Sequence, residues 1–190
     1  MPICGIDEAG RGPWAGPVVA AAVILPARGR PKGLKDSKLL SPEARAALAA
    51  ALRDCAVIGL GLATPEEIDA LNILKATHLA MQRAVAALPR APAAALIDGD
   101  SAPPLSCAVE CIIDGDVHVA CISAASIIAK VERDRMMAAY CADFPGYGFS
   151  RHKGYGTAEH QAALSRLGPS PIHRMSFKPV KAALANAYSP

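Results

Sequence analysis

Four acidic residues stand directly after short apolar segments that are predicted to be strands, and not on polar helix faces. Asp7 and Glu8 follow one such segment, and Asp98 and Asp116 follow two others. Acids at neighbouring strand ends can converge at one edge of a sheet, where their charges repel one another unless a divalent cation neutralises them. Oxygen ligands without thiol or imidazole favour Mg²⁺ or Mn²⁺ over zinc. The open alternative is that the four acids only begin turns and cap loops.

A carboxylate cluster of this kind suits hydrolysis of a phosphodiester. The reaction needs an activated water on one side of phosphorus and charge stabilisation of the leaving oxygen on the other, which two ions roughly 3.5 to 4 Å apart supply. Adjacent residues of a regular strand face opposite sides, so Asp7 and Glu8 can share a site only where the strand frays into the next turn. Gly10 and Gly12 give that turn the freedom to bend.

Two glycine-rich segments carry groups that can bind a nucleic acid. In Gly10-Arg11-Gly12, backbone N–H groups can approach a sugar-phosphate while Arg11 contacts a phosphate, although a plain tight turn needs the same glycines. The loop 151–157 holds two cations, a histidine and Tyr155, whose ring can lie against a sugar in a minor groove that displays the 2′-OH. A solvated basic loop with Tyr155 half buried is the alternative.

Two other groups of polar residues have spacings that favour a common surface. Ser126, Lys130 and Asp134 share one face of a predicted helix, where the alternative is a surface pair of Lys130 with Asp134. The segment His173-Arg174-Met175-Ser176-Phe177 combines phosphate-binding residue types with an aromatic ring. It can equally be an ordinary C-terminal connection.

Length and composition favour one folded domain. The chain has 190 residues, of which 52% are hydrophobic and 4% aromatic, and this composition excludes disorder over most of its length. The longest apolar runs, 18–25 and 119–129, are too short to span a bilayer, and the first acids come too early for a secretory signal. Six cysteines form no CxxC pair, so we expect reduced, mostly buried thiols and a cytoplasmic protein.

The charge is distributed unevenly along the chain. From Phe144 onward there are six Lys or Arg and one acid, whereas the first 143 residues hold 14 basic and 16 acidic residues. An acidic body suits cation binding and a basic end suits phosphate binding, although a solvated basic face would look the same. We therefore divide the predicted single domain, 1–190, into a catalytic core, 1–143, and a basic loop with C-terminal helices, 144–190, that complete a substrate groove.

Apolar periodicity and helix-capping residues predict an α/β domain with a mixed sheet. Ser41-Pro42-Glu43 and Thr64-Pro65-Glu66-Glu67 are typical of helix N-termini. The segment 144–156 holds four glycines and no apolar period, so it is predicted to be a loop. The predicted strands are 3–6, 17–26, 55–63, 93–98, 108–113 and 117–122, and the predicted helices are 41–53, 72–88, 123–141, 157–167 and 178–187.

Several of these segments, taken together and in order, resemble bacterial ribonuclease HII, the type 2 ribonuclease H. The resemblance covers most of the chain, and its first and last motifs are specific to that family. The segments are Gly5-Ile6-Asp7-Glu8-Ala9-Gly10-Arg11-Gly12, Asp36-Ser37-Lys38, Leu96-Ile97-Asp98-Gly99, Gly115-Asp116, the helix Ile122 to Asp134, and His152-Lys153-Gly154-Tyr155.

The resemblance implies a ribonuclease H-like fold, with a five-stranded mixed β-sheet flanked by α-helices and a small C-terminal helical segment. It also implies endonucleolytic cleavage of RNA in RNA·DNA hybrids, and incision of duplex DNA on the 5′ side of single embedded ribonucleotides. The products would carry 5′-phosphate and 3′-OH ends. No protein partner is implied, and we expect a monomer.

The motif match also implies roles for individual residues. Asp7, Glu8, Asp98 and Asp116 would be the catalytic acids, holding Mn²⁺ or Mg²⁺, with two ions present when substrate is bound. The remaining residues would bind the substrate or support the acids. The ribose 2′-OH and the RNA-to-DNA junction would be read by Gly10, Arg11, Gly12 and Tyr155, and the substrate would also be bound by Lys38 and Lys153. Those expected to support the site are Ser126, Lys130, Asp134, His173 and Arg174.

Some departures and alternatives stay open at this point. Asp100 stands where Asn is familiar in relatives, and Asp100, Asp114 or Asp134 could supply or support a metal ligand in place of a neighbouring acid. A second enzymatic interpretation is a junction resolvase or another nuclease of the same fold, which would not need to read a ribose. A non-enzymatic one is a hybrid-binding module. An unrelated Mg²⁺ phosphotransferase would need a GxxxxGK[ST] loop, which the sequence lacks.

Overall fold

The central feature of the fold is one five-stranded mixed sheet. The structure is a computed structural model that describes residues 2–35 and 37–187, so that Asp36 of the Asp36-Ser37-Lys38 segment lies outside the described residues. The strands are β1 (Ile3–Ala9), β2 (Val18–Ile24), β3 (Val57–Ala63), β4 (Ala94–Asp98) and β5 (Ala108–Ile112). Their order is β3-β2-β1-β4-β5; β1, β2 and β3 pair antiparallel, whereas β4 pairs parallel with both β1 and β5.

Helices flank this sheet and confirm the predicted fold class. They are α1 (Pro42–Cys55), α2 (Pro65–Leu71), α3 (Ile73–Ala86), α4 (Gly115–His118), α5 (Ala120–Asp143), α6 (Phe149–His152), α7 (Ala158–Leu167) and α8 (Lys178–Ala187), with a 3-10 turn at Ser37–Leu39. The predicted start signals act as expected. Ser41 Oγ accepts from the N–H of Ala44, and Thr64 forms a complete capping box with Glu67.

Two apolar clusters attach helices to the two faces of the sheet. One face is covered by α3 and the other by α1 and α5. The contact with α3 is close because β3 carries glycines: a Cβ on Gly59 or Gly61 would lie 2.1 or 2.2 Å from the carbonyl oxygen of Ala84 or Ala80. Side chains alternate along a strand, so successive residues of β1 face the helices on opposite sides of the sheet.

The chain after β5 differs from the prediction. The segment 117–122 is not a strand, because α4 and the first turns of α5 occupy it. Asp114 adopts a left-handed conformation, with φ 53°, just before α4, and Ser123 Oγ donates to the carbonyl of Asp116 at 2.7 Å. These contacts override the strand preference of a valine-rich segment. The predicted loop 144–156 likewise contains the short helix α6.

Two sequence expectations concern the cysteines and membrane spans. All six cysteines are free thiols, but only Cys4 is buried and Cys111 is exposed, so the expectation of mostly buried thiols was wrong. Over residues 2–35 and 37–187, no helix combines the length and apolarity needed to cross a bilayer.

Candidate active site

Three of the four predicted acids meet at one edge of the sheet. Because β1 and β4 are parallel neighbours with Ile6 opposite Ile97, Asp7 and Asp98 end up side by side. Asp116 comes from the first turn of α4, and its backbone N–H donates to Asp98 Oδ1 at 3.3 Å. One carboxylate oxygen from each of the three residues lies within 4.8 Å of the others.

The electrostatics of this group fit a hard divalent cation. Asp7 and Asp116 are only 5% and 6% exposed. Burial, and then the charges of Glu8 and Asp98, raise the pKa of Asp7 well above its ordinary value, against a hydrogen bond from Ser126. Buried oxygen ligands that repel one another are stabilised by a cation that prefers oxygen, as Mg²⁺ and Mn²⁺ do. The residues present therefore fit the metal that the sequence predicts.

Glu8 reaches the site from the other layer of the fold. Strand alternation places Asp7 on the face covered by α5 and Glu8 on the face covered by α3. Glu8 is outside the three-residue group, but it borders the same groove as Asp7 and Asp98. Burial raises the pKa of Glu8, and Arg11, whose Nη1 lies 3.4 Å from Glu8 Oε1, opposes that effect.

Asp7, Glu8 and Asp98 form part of the wall of a groove of about 440 Å³. The structure brings most of the predicted substrate and supporting residues to this groove. The lining includes Gly10, Arg11, Gly12, Lys38, Ser126, Lys130 and Tyr155.

The 3-10 turn closes one end of the groove beside α5. The hydroxyl groups of Ser126 and Ser37 form a hydrogen bond of 2.9 Å, and this buried contact holds the turn against the helix. Lys38 follows with a side chain that is 77% exposed, and its Nζ lies 3.6 Å from Asp116 Oδ2. A cation thus stands at the rim next to the acids.

Tyr155 stands beside the glycine turn, residues 10–16, and both border the groove. Tyr155 is 44% exposed, and a Cβ on Gly12 would lie 3.8 Å from its Cε1 atom. Lys130 Nζ lies 5.9 Å from the ring centroid. The residues 10–12 and Tyr155 therefore present one continuous surface, with an aromatic face and backbone groups together.

Other predicted residues lie elsewhere. The ammonium group of Lys153 donates to the carbonyl of Ser150 at 2.6 Å and does not line the groove. Asp134 pairs with Lys130 at 2.8 Å and with Arg45 at 3.8 Å. Asp100 and Asp114 do not belong to the carboxylate group.

His173 and Arg174 are buried behind the glycine turn, together with residues that sequence reasoning missed. His160 shares a hydrogen bond of 3.0 Å with His173 between their Nε2 atoms, and the rings of His160 and His152 stack 4.5 Å apart. Arg133 is 1% exposed although it lies on α5. The signal for Arg133 was present, because a charged residue on the apolar stripe of a helix is unusual.

A five-stranded mixed sheet with carboxylates gathered at the ends of two parallel central strands defines a nuclease of the ribonuclease H-like class. The model of the ribonuclease HII family matches residues 4–180. The chain belongs to the ribonuclease HII family. It is therefore a metal-dependent ribonuclease H, a hydrolase acting on RNA in RNA·DNA hybrids.

Individual relatives agree with this assignment. The chain is 61% identical to ribonuclease HII of Parvibaculum lavamentivorans over 96% of its own length and 68% of the relative, and 58% identical to that of Rhizorhabdus wittichii over 95% and 89%. Among solved structures, ribonuclease H2 from Pyrococcus horikoshii superposes with a TM-score of 0.82 at 26% identity, and covers 100% of both chains. Ribonuclease HII from Archaeoglobus fulgidus, solved in a complex with PCNA, gives 0.79 at 27% identity over 94% and 96%.

Proposed function

We propose that the protein, besides cleaving RNA in hybrids, incises duplex DNA on the 5′ side of a single embedded ribonucleotide and leaves 5′-phosphate and 3′-OH ends. One observation carries the proposal: Asp7, Asp98 and Asp116 converge within 4.8 Å, and Asp7 and Asp98 line a groove that also holds the 10–12 turn and Tyr155. A metal site and a surface suited to a sugar thus share one cavity.

In this proposal Asp7, Glu8, Asp98 and Asp116 hold Mg²⁺ or Mn²⁺, with two ions when substrate is bound. The metal, when bound, supplies an activated water and stabilises charge on the leaving oxygen. The protein contributes the rigid placement of the acids. Asp98 is fixed by the N–H of Asp116, and Asp7 faces Ser126 on α5.

The substrate residues divide between phosphate and sugar. Arg11 and Lys38 are exposed cations at the groove rim, where they can neutralise phosphates. Gly10, Gly12 and Tyr155 line the same groove as Asp7 and Asp98, so that in this proposal backbone N–H groups and the ring contact the ribose whose phosphate reaches the acids. A 2′-OH offers this surface a hydrogen-bonding group that deoxyribose lacks, so the sugar and not the base is read.

The segment from Phe144 to Ala187 completes the groove in this proposal by carrying Tyr155 and by supporting the glycine turn from behind. Lys130 and Asp134 form an ion pair beside the groove that orients the Lys130 ammonium. Lys153 meets the duplex outside the groove. We further propose that the protein acts as a monomer without an obligatory protein partner; the cytoplasmic location stays a prediction.

The proposal is tested by cleavage of a labelled DNA duplex that contains one ribonucleotide. An all-DNA duplex and a duplex with four consecutive ribonucleotides serve as controls, each with Mn²⁺, Mg²⁺ or EDTA. We expect a metal-dependent cut immediately 5′ of the lone ribonucleotide and no cut in all-DNA.

The other outcomes separate the alternatives. Cleavage of the four-ribonucleotide duplex alone would leave a hybrid nuclease without single-ribonucleotide incision. Cleavage of the all-DNA duplex would favour a resolvase-like nuclease. Metal-independent binding without cleavage would favour a hybrid-binding module.

A further inference from the structure

Arg174 is a buried cation whose partners are backbone carbonyls. Its side chain is 0% exposed. It donates four hydrogen bonds of 2.5 to 3.0 Å to the segment 10–16, and all the acceptors belong to the turn that follows β1. These acceptors are the carbonyl oxygens of Gly10, Arg11, Pro13 and Gly16.

Arg133 makes the same kind of contact with neighbouring backbone. It projects from α5, is 1% exposed, and donates to the carbonyls of Ala15, Pro17 and Lys153 at 3.0 to 3.1 Å. Its Cζ lies 6.0 Å from the centroid of the Tyr155 ring. Arg133 therefore bridges the glycine turn and the loop that carries Tyr155.

Neither guanidinium group has a carboxylate within ion-pair distance among the residues described. Burial lowers the pKa of Arg133 to about 10 and that of Arg174 to about 9, because a charge away from water is costly. Seven carbonyl oxygens offset that cost. Buried arginines are more often found paired with acids. Because these two bind backbone carbonyls instead, their hydrogen bonds fix the conformation of the backbone that they contact.

The turn and the Tyr155 loop are also joined directly. The N–H of Trp14 donates to the carbonyl of Gly154 at 2.8 Å, and Gly156 lies against the Trp14 ring, where a Cβ would come within 2.1 Å. Gly10 has φ 100°, and a Cβ there would lie 1.9 Å from Arg133 Nε. Only glycine adopts this φ without strain and leaves room for the guanidinium group of Arg133.

We propose that Arg133 and Arg174 are positioning residues that set the preference for ribose, by holding the 10–16 turn and the Tyr155 loop in one mutual arrangement. This inference rests on the proposed single-ribonucleotide function. Neither arginine touches the substrate. Each acts through the backbone groups of the turn and through Tyr155.

Lysine cannot replace either arginine in this role. A guanidinium group presents five donors in a fixed plane, whereas an ammonium group is a point charge with three donors on a flexible stem. Arg174→Lys keeps the charge but cannot reach four carbonyls spread over the 10–16 turn. The change therefore separates charge from geometry.

The experiment compares Arg174→Lys with the wild-type protein on the single-ribonucleotide duplex and on a continuous RNA·DNA hybrid. A lone ribonucleotide offers one register in which its 2′-OH meets the turn, whereas a hybrid offers several. We expect kcat on the single-ribonucleotide duplex to fall on the order of 100-fold with little change in KM, and activity on the hybrid to fall much less. Arg166→Lys is the matched control, because the exposed Arg166 also donates to one carbonyl, that of Gly146.

Trp14, the single tryptophan of the chain, reports the state of the turn independently of activity. In folded Arg174→Lys we expect acrylamide to quench Trp14 more strongly than in the wild-type protein or in Arg166→Lys. Equal losses on both substrates, or unchanged rates and quenching, would overturn the proposal. If the wild-type protein does not cut the single-ribonucleotide duplex, the proposed function fails, and Trp14 quenching alone then decides whether Arg174 holds the turn.

A failure of Arg174→Lys to fold is covered by two further measurements. Arg133→Lys repeats the comparison from the α5 side. Hydrogen exchange of the wild-type protein should show the amides of Trp14 and Gly16 as protected as those of β1, since they donate to Gly154 and Ile172. Fast exchange at these two amides would contradict the proposal.

Discussion

The backbone N–H of Asp116 donates a hydrogen bond of 3.3 Å to Oδ1 of Asp98. Two carboxylates that would repel each other are thus tied together by a main-chain donor at the start of α4. The short helix places Asp116 beside the end of β4 without a sixth strand. The spacing of the acids is therefore set by the backbone, and a bound cation would meet ligands that are already in place.

The ionised carboxylate of Asp7 should lower the folding stability of the metal-free protein. Its folded pKa lies above the unfolded value because of burial, Glu8 and Asp98, so the ionised form destabilises the fold near neutral pH and is relieved as the pH falls through that raised pKa. We expect Asp7→Asn to raise the Tm at pH 7 in EDTA. Mn²⁺ should raise the Tm of the wild-type protein and have less effect on the variant. Equal Mn²⁺ shifts in both proteins would be inconsistent with a metal site at Asp7.

The ring of Tyr155 should matter for single ribonucleotides more than for duplex binding in general. Tyr155 is 44% exposed and borders the groove, and in the proposed function Arg11 and Lys38 supply the phosphate contacts. We expect Tyr155→Ala to reduce cleavage of the single-ribonucleotide duplex by about tenfold or more, corresponding to the 1–3 kcal/mol of a stacking contact. Tyr155→Phe, which keeps the ring, is the matched control. Equal losses in cleavage and in duplex binding would refute this role.

The stability of the protein should fall in mild acid through His173. Burial, and then His160, lower the pKa of His173 to about 4, so between about 6.5 and 4 the unfolded chain binds a proton that the folded protein excludes. Stability is therefore full above pH 6.5 and is lost as the pH falls, by up to about 3 kcal/mol from this group. Urea unfolding from pH 7.5 to 4.5 measures the slope. His173→Gln, which cannot titrate, should flatten it; an unchanged slope would show that other groups cause the loss.

The close packing of α3 on β3 should not tolerate a methyl group. In Gly61→Ala the new Cβ would meet the carbonyl oxygen of Ala80 at 2.2 Å, and a backbone atom cannot yield without moving the helix. We expect a loss of about 1–3 kcal/mol or more in the free energy of unfolding. Gly12→Ala, whose Cβ would be 3.8 Å from Tyr155, should change stability by only about 0.5 kcal/mol. A neutral Gly61→Ala would contradict this account of the interface.

The sequence predicted the parts of the fold that local patterns control. The helix 178–187 has the predicted bounds, and β4 ends on Asp98 as expected. The error at 117–122 arose because alternating valines favour a strand, whereas the hydrogen bond of Ser123 and the left-handed conformation of Asp114 depend on tertiary structure. Convergence of the acids followed from strand order, which a pattern of apolar residues does not specify.

The residues that support the glycine turn were the part of the site that the sequence predicted least well. Arg174 was singled out as a phosphate-binding type, but its actual partners are carbonyls more than 150 residues away in sequence. These contacts could not be predicted from composition or spacing. Lys153 shows the converse: its residue type suits phosphate, yet its ammonium group binds the carbonyl of Ser150.

The most direct test of the central claim is the cleavage rate of the single-ribonucleotide duplex in Mn²⁺ by Asp98→Asn and Asp100→Asn. The two acids are two residues apart, but only Asp98 belongs to the carboxylate group. We predict that Asp98→Asn loses on the order of 10³-fold in rate, because the metal contributes several kcal/mol to the reaction, while Asp100→Asn cleaves at close to the wild-type rate. Wild-type cleavage by Asp98→Asn, or equal losses in both variants, would contradict the assignment of the site.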